Sequence, residues 1–131
     1  MKKIILLSTM ALLGFQSANA ANWTYKSATN KILEIEKELL ACSPSPDEAG
    51  ECYEIAINQY DQLIGSVRSQ NAKKVDAKLW YSINLGFKKH GDSCRSDLNL
   101  SQDRFFFFPY QDCLTNNFHS LAVTAVELHL K

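Results

Sequence analysis

Four cysteines (Cys42, Cys52, Cys94 and Cys113) and three histidines (His90, His119 and His129) are the side chains best suited to thiol, metal or general-base chemistry. Zinc and redox sites draw on close pairs such as C-x-x-C, and haem attachment needs C-x-x-C-H. Here successive cysteines lie 10, 42 and 19 residues apart. An even number of widely spaced cysteines in a small exported chain reads instead as two disulfides. H-E-x-x-H is absent. His119 and His129 share one predicted helix, where ten residues correspond to about 15 Å of axis, too far for a common ion. The histidines are therefore expected at the surface or at helix ends, with His90 near a C-terminus that suits its charge. No metal and no cofactor are expected.

The remaining chemistry is equally thin. Paired carboxylates for glycoside hydrolysis can come from any two acidic residues that meet across a cleft, yet Glu34, Glu36, Glu38 and Asp61 fall on polar helix faces. No G-x-S-x-G elbow presents a serine nucleophile. "KKHGDSC" is similar over a few residues to the His-Asp helix of secreted phospholipases A2, but Gly91 separates His90 from Asp92 and no glycine-rich calcium loop accompanies it. The expectation is a protein that binds rather than catalyses.

These residues must be held by helices. In "ATNKILEIEKELLAC", Ile32, Ile35, Leu39 and Cys42 follow heptad spacing while Glu34, Lys37 and Glu38 face away. Ser45-Pro46-Asp47-Glu48 has the form of a capping box that opens a second helix, with Tyr53, Ala56, Ile57, Tyr60, Leu63, Ile64 and Val67 on one stripe. A third helix is predicted from Asn71 as its cap, carrying Val75, Leu79, Ile83 and Phe87 with Trp80 beside them, and closed by a left-handed Gly91. The eighteen residues 95–112 lack periodicity. A fourth helix runs from about Asp112, with Leu114, Phe118, Leu121, Ala125 and Leu128 in register. The fold expected is an all-α, four-helix bundle-like domain stapled by two disulfides, with a long aromatic loop before the last helix. Pairing Cys42 with Cys52 and Cys94 with Cys113 closes two helical hairpins at their connections. A second arrangement stays open, because a helix beginning at Pro46 places Cys52 roughly 9 Å down its axis and brings other elements within reach.

The N-terminus points to export. "MKKIILLSTMALLGFQSANA" has two lysines, an apolar stretch from Ile4 to Phe15 and a small-x-small end, Ala18-Asn19-Ala20. That is the pattern of a signal peptide over 1–20, cleaved after Ala20, with an apolar run too short for a permanent anchor. Residue 21 is Ala rather than Cys, which disfavours lipid attachment. The mature domain, 21–131, keeps twelve basic residues against fourteen acidic ones, a net charge of −2 with no basic stripe. Nucleic-acid binding is disfavoured, no membrane span is expected, and the lysine-only leader suggests a bacterial periplasm.

One segment resists a purely structural explanation. "RFFFFPYQDC" strings Phe105, Phe106, Phe107 and Phe108 together before Pro109 and Tyr110. Proline disfavours helical backbone at the residue before it, and an extended run would turn Phe105 and Phe107 one way and Phe106 and Phe108 the other. One pair can enter the bundle; the second needs another cover. Each ring presents about 150–250 Å², so two exposed rings plus Tyr110 approach the roughly 300–600 Å² patch that a monomer tolerates. Either the loop folds back and buries all four rings, or the Arg104–Tyr110 segment waits for a partner, a different protein or a second copy of this chain. Asp47, Glu48, Glu51 and Glu54 cluster at the start of the second helix. They form a simple helix cap, or an acidic prong that steers a basic partner.

Together, a leader ending "ANA", a small helical domain with paired cysteines, no catalytic set and an aromatic loop resemble a periplasmic immunity protein of a type VI secretion system. The closest likeness is to inhibitors of lysozyme-like muramidase effectors. "ECYEIAINQYDQLIGSV" followed by "KLWYSINLGFKKHGDSC" is also similar to the LprI-type lysozyme inhibitor domain, in which a Tyr-bearing helix precedes a Trp-bearing helix that ends in Cys. That family carries Gln-Arg before its Trp and a shorter step to Cys; here Ala77-Lys78-Leu79 precede Trp80, and Cys94 stands fourteen residues on. Both likenesses imply a protein that occludes the substrate cleft of a cognate cell-wall hydrolase, alone or as a homodimer. The expected contacts are Arg104, Phe105–Phe108, Tyr110, Asp47 and Glu48. The alternative expectation is a small periplasmic ligand- or lipid-binding helical protein.

Overall fold

In the computed structural model, the structure describes residues 22–42, 46–96 and 107–131. The expected signal peptide and most of the aromatic loop lie outside them. Four helices account for nearly all of the described chain: α1 (Tyr25–Ala41), α2 (Pro46–Gln70), α3 (Ala77–Ser96) and α4 (Phe107–Leu130). No strand occurs among the described residues.

α1 starts three residues earlier than its apolar period suggests, because Thr24 and Ser27 form a reciprocal capping box. The Thr24 hydroxyl accepts from the Ser27 amide at 3.0 Å, and the Ser27 hydroxyl accepts from the Thr24 amide at 2.9 Å. α2 begins at Pro46, where the missing N–H costs nothing. Cys52 nevertheless reaches Cys42, and the Cα atoms of the bridge stand 6.1 Å apart. The second bridge joins Cys94 to Cys113 with a Cα separation of 5.8 Å. Both hairpin pairings therefore form, each with a Cα separation in the range that disulfides usually span.

Three further boundaries differ from those expected. α3 is capped by Asp76, whose carboxylate accepts from the Leu79 amide at 3.2 Å, and not by Asn71. Asn71 instead donates its side-chain N–H to the His129 carbonyl at 3.1 Å, tying the α2–α3 turn to the end of α4. Gly91 does not terminate α3; it lies inside the helix, and no described glycine has positive φ. It faces α4, and an added Cβ there would meet Asn117 Nδ2 at 3.4 Å and Leu114 Cδ2 at 3.6 Å, ordinary contact distances. α4 opens at Phe107, so Phe107 and Phe108 have helical rather than extended backbone. The helix tolerates Pro109 because first-turn amides have no intrahelical acceptor.

The core is built from Ala28, Ile32 and Ile35 of α1, the Ala56–Tyr60–Leu63–Val67 stripe of α2 and the Leu121–Ala122–Ala125–Val126 face of α4. Buried alanines on α4 let α2 run close along it, and this is the most extensive helix pair. α3 packs chiefly on α4 and inserts Trp80. The arrangement is a three-helix core with a fourth helix laid on its flank. His129 is a further departure: it is fully buried, not at the surface. Its Nδ1–H donates to the Ala125 carbonyl at 2.8 Å, Arg68 lies 3.3 Å from Nε2, and its ring meets Trp80 edge-on. Because arginine can only donate, Nε2 must accept, and the ring is neutral in this tautomer. Burial pushes its pKa below the ordinary value, and the Arg68 charge adds to that depression.

Candidate partner-binding face

α3 leaves three large apolar side chains uncovered, as α1 does with Tyr25, Leu33 and Leu40. Tyr81 is 69% exposed, Leu79 50% and Leu85 40%. Leu79 therefore does not join the core as its spacing suggests. A helix on a flank buries one side only, and here that side is taken by Trp80, Ile83, Phe87 and Cys94. Tyr81 and Leu85 are one turn apart, with Lys88 three residues further along the same strip.

Lys88 also lines a groove of about 360 Å³ between α3 and α4. Phe87, Leu114 and Phe118 supply its apolar part, and Asp61, Lys88 and Asp92 its charges. Tyr110, the last aromatic residue of the Phe-Pro-Tyr segment, lines the same groove. The fold thus brings one of the residues singled out from the sequence beside an exposed apolar strip that the sequence does not single out. An apolar centre with charged edges is the usual composition of a protein-binding hot spot.

The other expected contacts fare differently. Arg104, Phe105 and Phe106 lie outside the described residues. Phe107 and Phe108 occupy the first turn of α4, and Asp47 and Glu48 the first turn of α2. Glu51 and Glu54 are exposed on α2, at the end of the molecule held by the Cys42–Cys52 bridge.

A second groove, about 460 Å³, lies along α3 and α4 and contains Ile83, Gly86 and His90 on one wall and Asn116, Ser120 and Thr124 on the other. Phe87 and Asn117 line both grooves. Asn117 donates to the Phe87 carbonyl at 2.8 Å, while its buried Oδ1 has no protein partner. His90 sits within α3, six residues short of its end at Ser96.

Elsewhere, His119 and Tyr60 are each held by neighbouring helices. His119 Nε2 lies 2.7 Å from Glu36 Oε1, so the α1 carboxylate expected in solvent is paired with α4. The His119 ring also meets Tyr60 edge-on at 5.7 Å. Tyr60 is buried, and desolvation pushes its phenol up to about 12, out of reach of proton transfer near neutrality. Comparison with protein-family models, with curated proteins and with solved structures gives no match to this chain.

The strip on α3 does leave a signal. "KLWYSINLGF" places apolar residues at 79, 80, 81, 83, 85 and 87, which spread around the helix rather than along one stripe. A helix apolar on several sides needs more than one neighbour. The phenylalanine run, a louder feature of the sequence, draws attention away from it.

Proposed function

We propose that this chain is an exported immunity-type inhibitor that docks onto a murein-cleaving, muramidase-type toxin and blocks its substrate cleft. The docking surface includes the groove that Tyr110 lines, together with Leu85 and Tyr81, and the expected contacts Arg104–Phe108 are counted with it from the sequence alone. The observation that carries the reading is the exposed Tyr81–Leu85 strip on the helix that also supplies Asn84 and Lys88 to that groove. Two disulfides suit an oxidising compartment, and among the described residues no helix is long and apolar enough to cross a membrane. The resemblance to periplasmic muramidase inhibitors supplies the class of partner.

The test is titration of the purified chain against muramidase-type murein hydrolases, with murein cleavage and binding read together. Tyr81→Ala/Leu85→Ala and Phe106→Ala/Phe108→Ala should each weaken the complex by at least about tenfold, the scale of one to two hot-spot residues, with helicity unchanged. Full affinity in both variants, with loss only in Asp47→Lys/Glu48→Lys, would move the contact to the acidic end of α2. No effect on murein cleavage at any ratio would reject the inhibitor reading.

A ligand-binding reading is favoured by one specific observation, the unpartnered Asn117 Oδ1 between two grooves of a size that small molecules occupy. Native mass spectrometry of protein purified from cells would then show a bound small molecule that Asn117→Leu loses.

A further inference from the structure

The Cys94–Cys113 bridge differs from Cys42–Cys52 in its surroundings. The ring nitrogen of His90 and the two sulfurs of Cys94 and Cys113 all lie within 4.8 Å of one another, and among the described residues no other group of His, Cys or carboxylate ligands is so assembled. His90 and Cys94 stand at i and i+4, on one side of α3, and α4 supplies Cys113. Tetrahedral zinc with two thiolates and one imidazole needs ligand atoms spaced by roughly 3.5–3.8 Å, from bond lengths near 2.3 and 2.1 Å. The Cα separation of 5.8 Å lets the two sulfurs reach that spacing by side-chain rotation once their bond is broken.

We propose that Cys94, Cys113 and His90 form a latent binding site for a thiophilic divalent cation of the zinc class, closed while the disulfide is intact and opened by a dithiol. A dithiol thiolate attacks one sulfur and releases the other as a thiolate. The reductant's second thiol then resolves the mixed disulfide. Two electrons and two protons pass to Cys94 and Cys113, and the dithiol leaves as a disulfide. The cation replaces the two thiol protons and takes the neutral imidazole as its third ligand. The fourth position is open to water, because exposed His90 lines the groove of about 460 Å³ and leaves a path for entry.

One hydrogen bond keeps the ligands in register without the bridge. Asn117 ties α4 to the Phe87 carbonyl of α3. The Cys42–Cys52 bridge has no such histidine, so when both bridges are reduced it serves as the internal control.

The test uses the mature chain, reduced with a phosphine and titrated with cobalt(II) as a spectroscopic stand-in, then with zinc(II). Reduced protein should take up one cobalt per chain with a thiolate-to-cobalt charge-transfer band that zinc abolishes, and oxidised protein should take up none. Cys42→Ser/Cys52→Ser should bind as the parent does. His90→Ala should bind at least tenfold more weakly, and Cys94→Ser/Cys113→Ser should show no band. If reduction melts the helices, zinc should restore the helical circular-dichroism signal in the parent but not in Cys94→Ser/Cys113→Ser. Uptake by His90→Ala equal to the parent, or no band and no zinc-restored helicity, would overturn the site.

Discussion

His129 shows how one side chain can carry chemistry the sequence misassigns. Its position near the C-terminus suggests an exposed, chargeable ring, yet Trp80, Arg68 and the Ala125 carbonyl enclose it as a neutral tautomer. Its folded pKa lies below the ordinary 6.5, so the unfolded chain binds the proton first on acidification. The stability this ring contributes is therefore complete above about pH 6.5 and is lost as pH falls toward the folded value. Denaturation midpoints between pH 7.5 and 5 should drop in the parent and drop less in His129→Gln. The His129 ring resonances should stay in their neutral form at pH 6.5; titration there at the ordinary value would contradict the buried assignment. Burial opposes protonation most, and the Arg68 charge, held over Trp80 with its guanidinium 5.2 Å from the ring centroid, opposes it further.

At the level of elements, the helices differ in what sustains them. α1 owes its first turn to Thr24, and Thr24→Ala should cost about 1 kcal/mol, read as a lowered denaturation midpoint. α2 and α3 each carry an interior glycine, Gly65 and Gly86, where an added Cβ would meet nothing within 4 Å. Gly65→Ala should raise stability by about 0.5–1 kcal/mol through helix propensity alone, and a rise of a few degrees in melting temperature would confirm it. Gly86→Ala should give the same gain while narrowing the groove that contains His90. Gly91→Ala should gain at least as much, because its new methyl meets Asn117 and Leu114 at ordinary contact distance. The phenylalanine run also belongs to this scale. Pro109 does not exclude helix when it falls in a first turn, where its missing N–H is not needed, and α4 is correspondingly longer than its apolar register implies.

For the whole molecule, two covalent closures frame a small core. Chain entropy assigns roughly 3 kcal/mol to each bridge, and the nineteen-residue closure at Cys94–Cys113 should contribute slightly more than the ten-residue one at Cys42–Cys52. Urea denaturation of Cys42→Ser/Cys52→Ser and of Cys94→Ser/Cys113→Ser should show both losses. The first leaves Ile55 and Leu40, already exposed, more open at the acidic end; the second frees α3 from the start of α4. Because the core is completed by α1, α2 and α4, freeing α3 should spare most of the helicity and chiefly abolish docking. Binding lost with the core intact would tie function to α3; unfolding of the entire chain would show that α3 is integral to the core.

Sequence alone determined the helical class and the apolar stripes of α1 and α2, because each depends on neighbours a few residues apart; it favoured the hairpin pairing of the cysteines through short loop closure, and the structure decided it. The sequence also carried the pattern of an export leader. It did not determine that α3 would lie on a flank with Tyr81 and Leu85 uncovered, that His90 would stand beside a disulfide, or that His129 would be sealed against Trp80. Those outcomes depend on how α4 divides its circumference among three neighbours. Helix periodicity specifies which residues turn inward, but only packing decides how many sides of a helix find a neighbour.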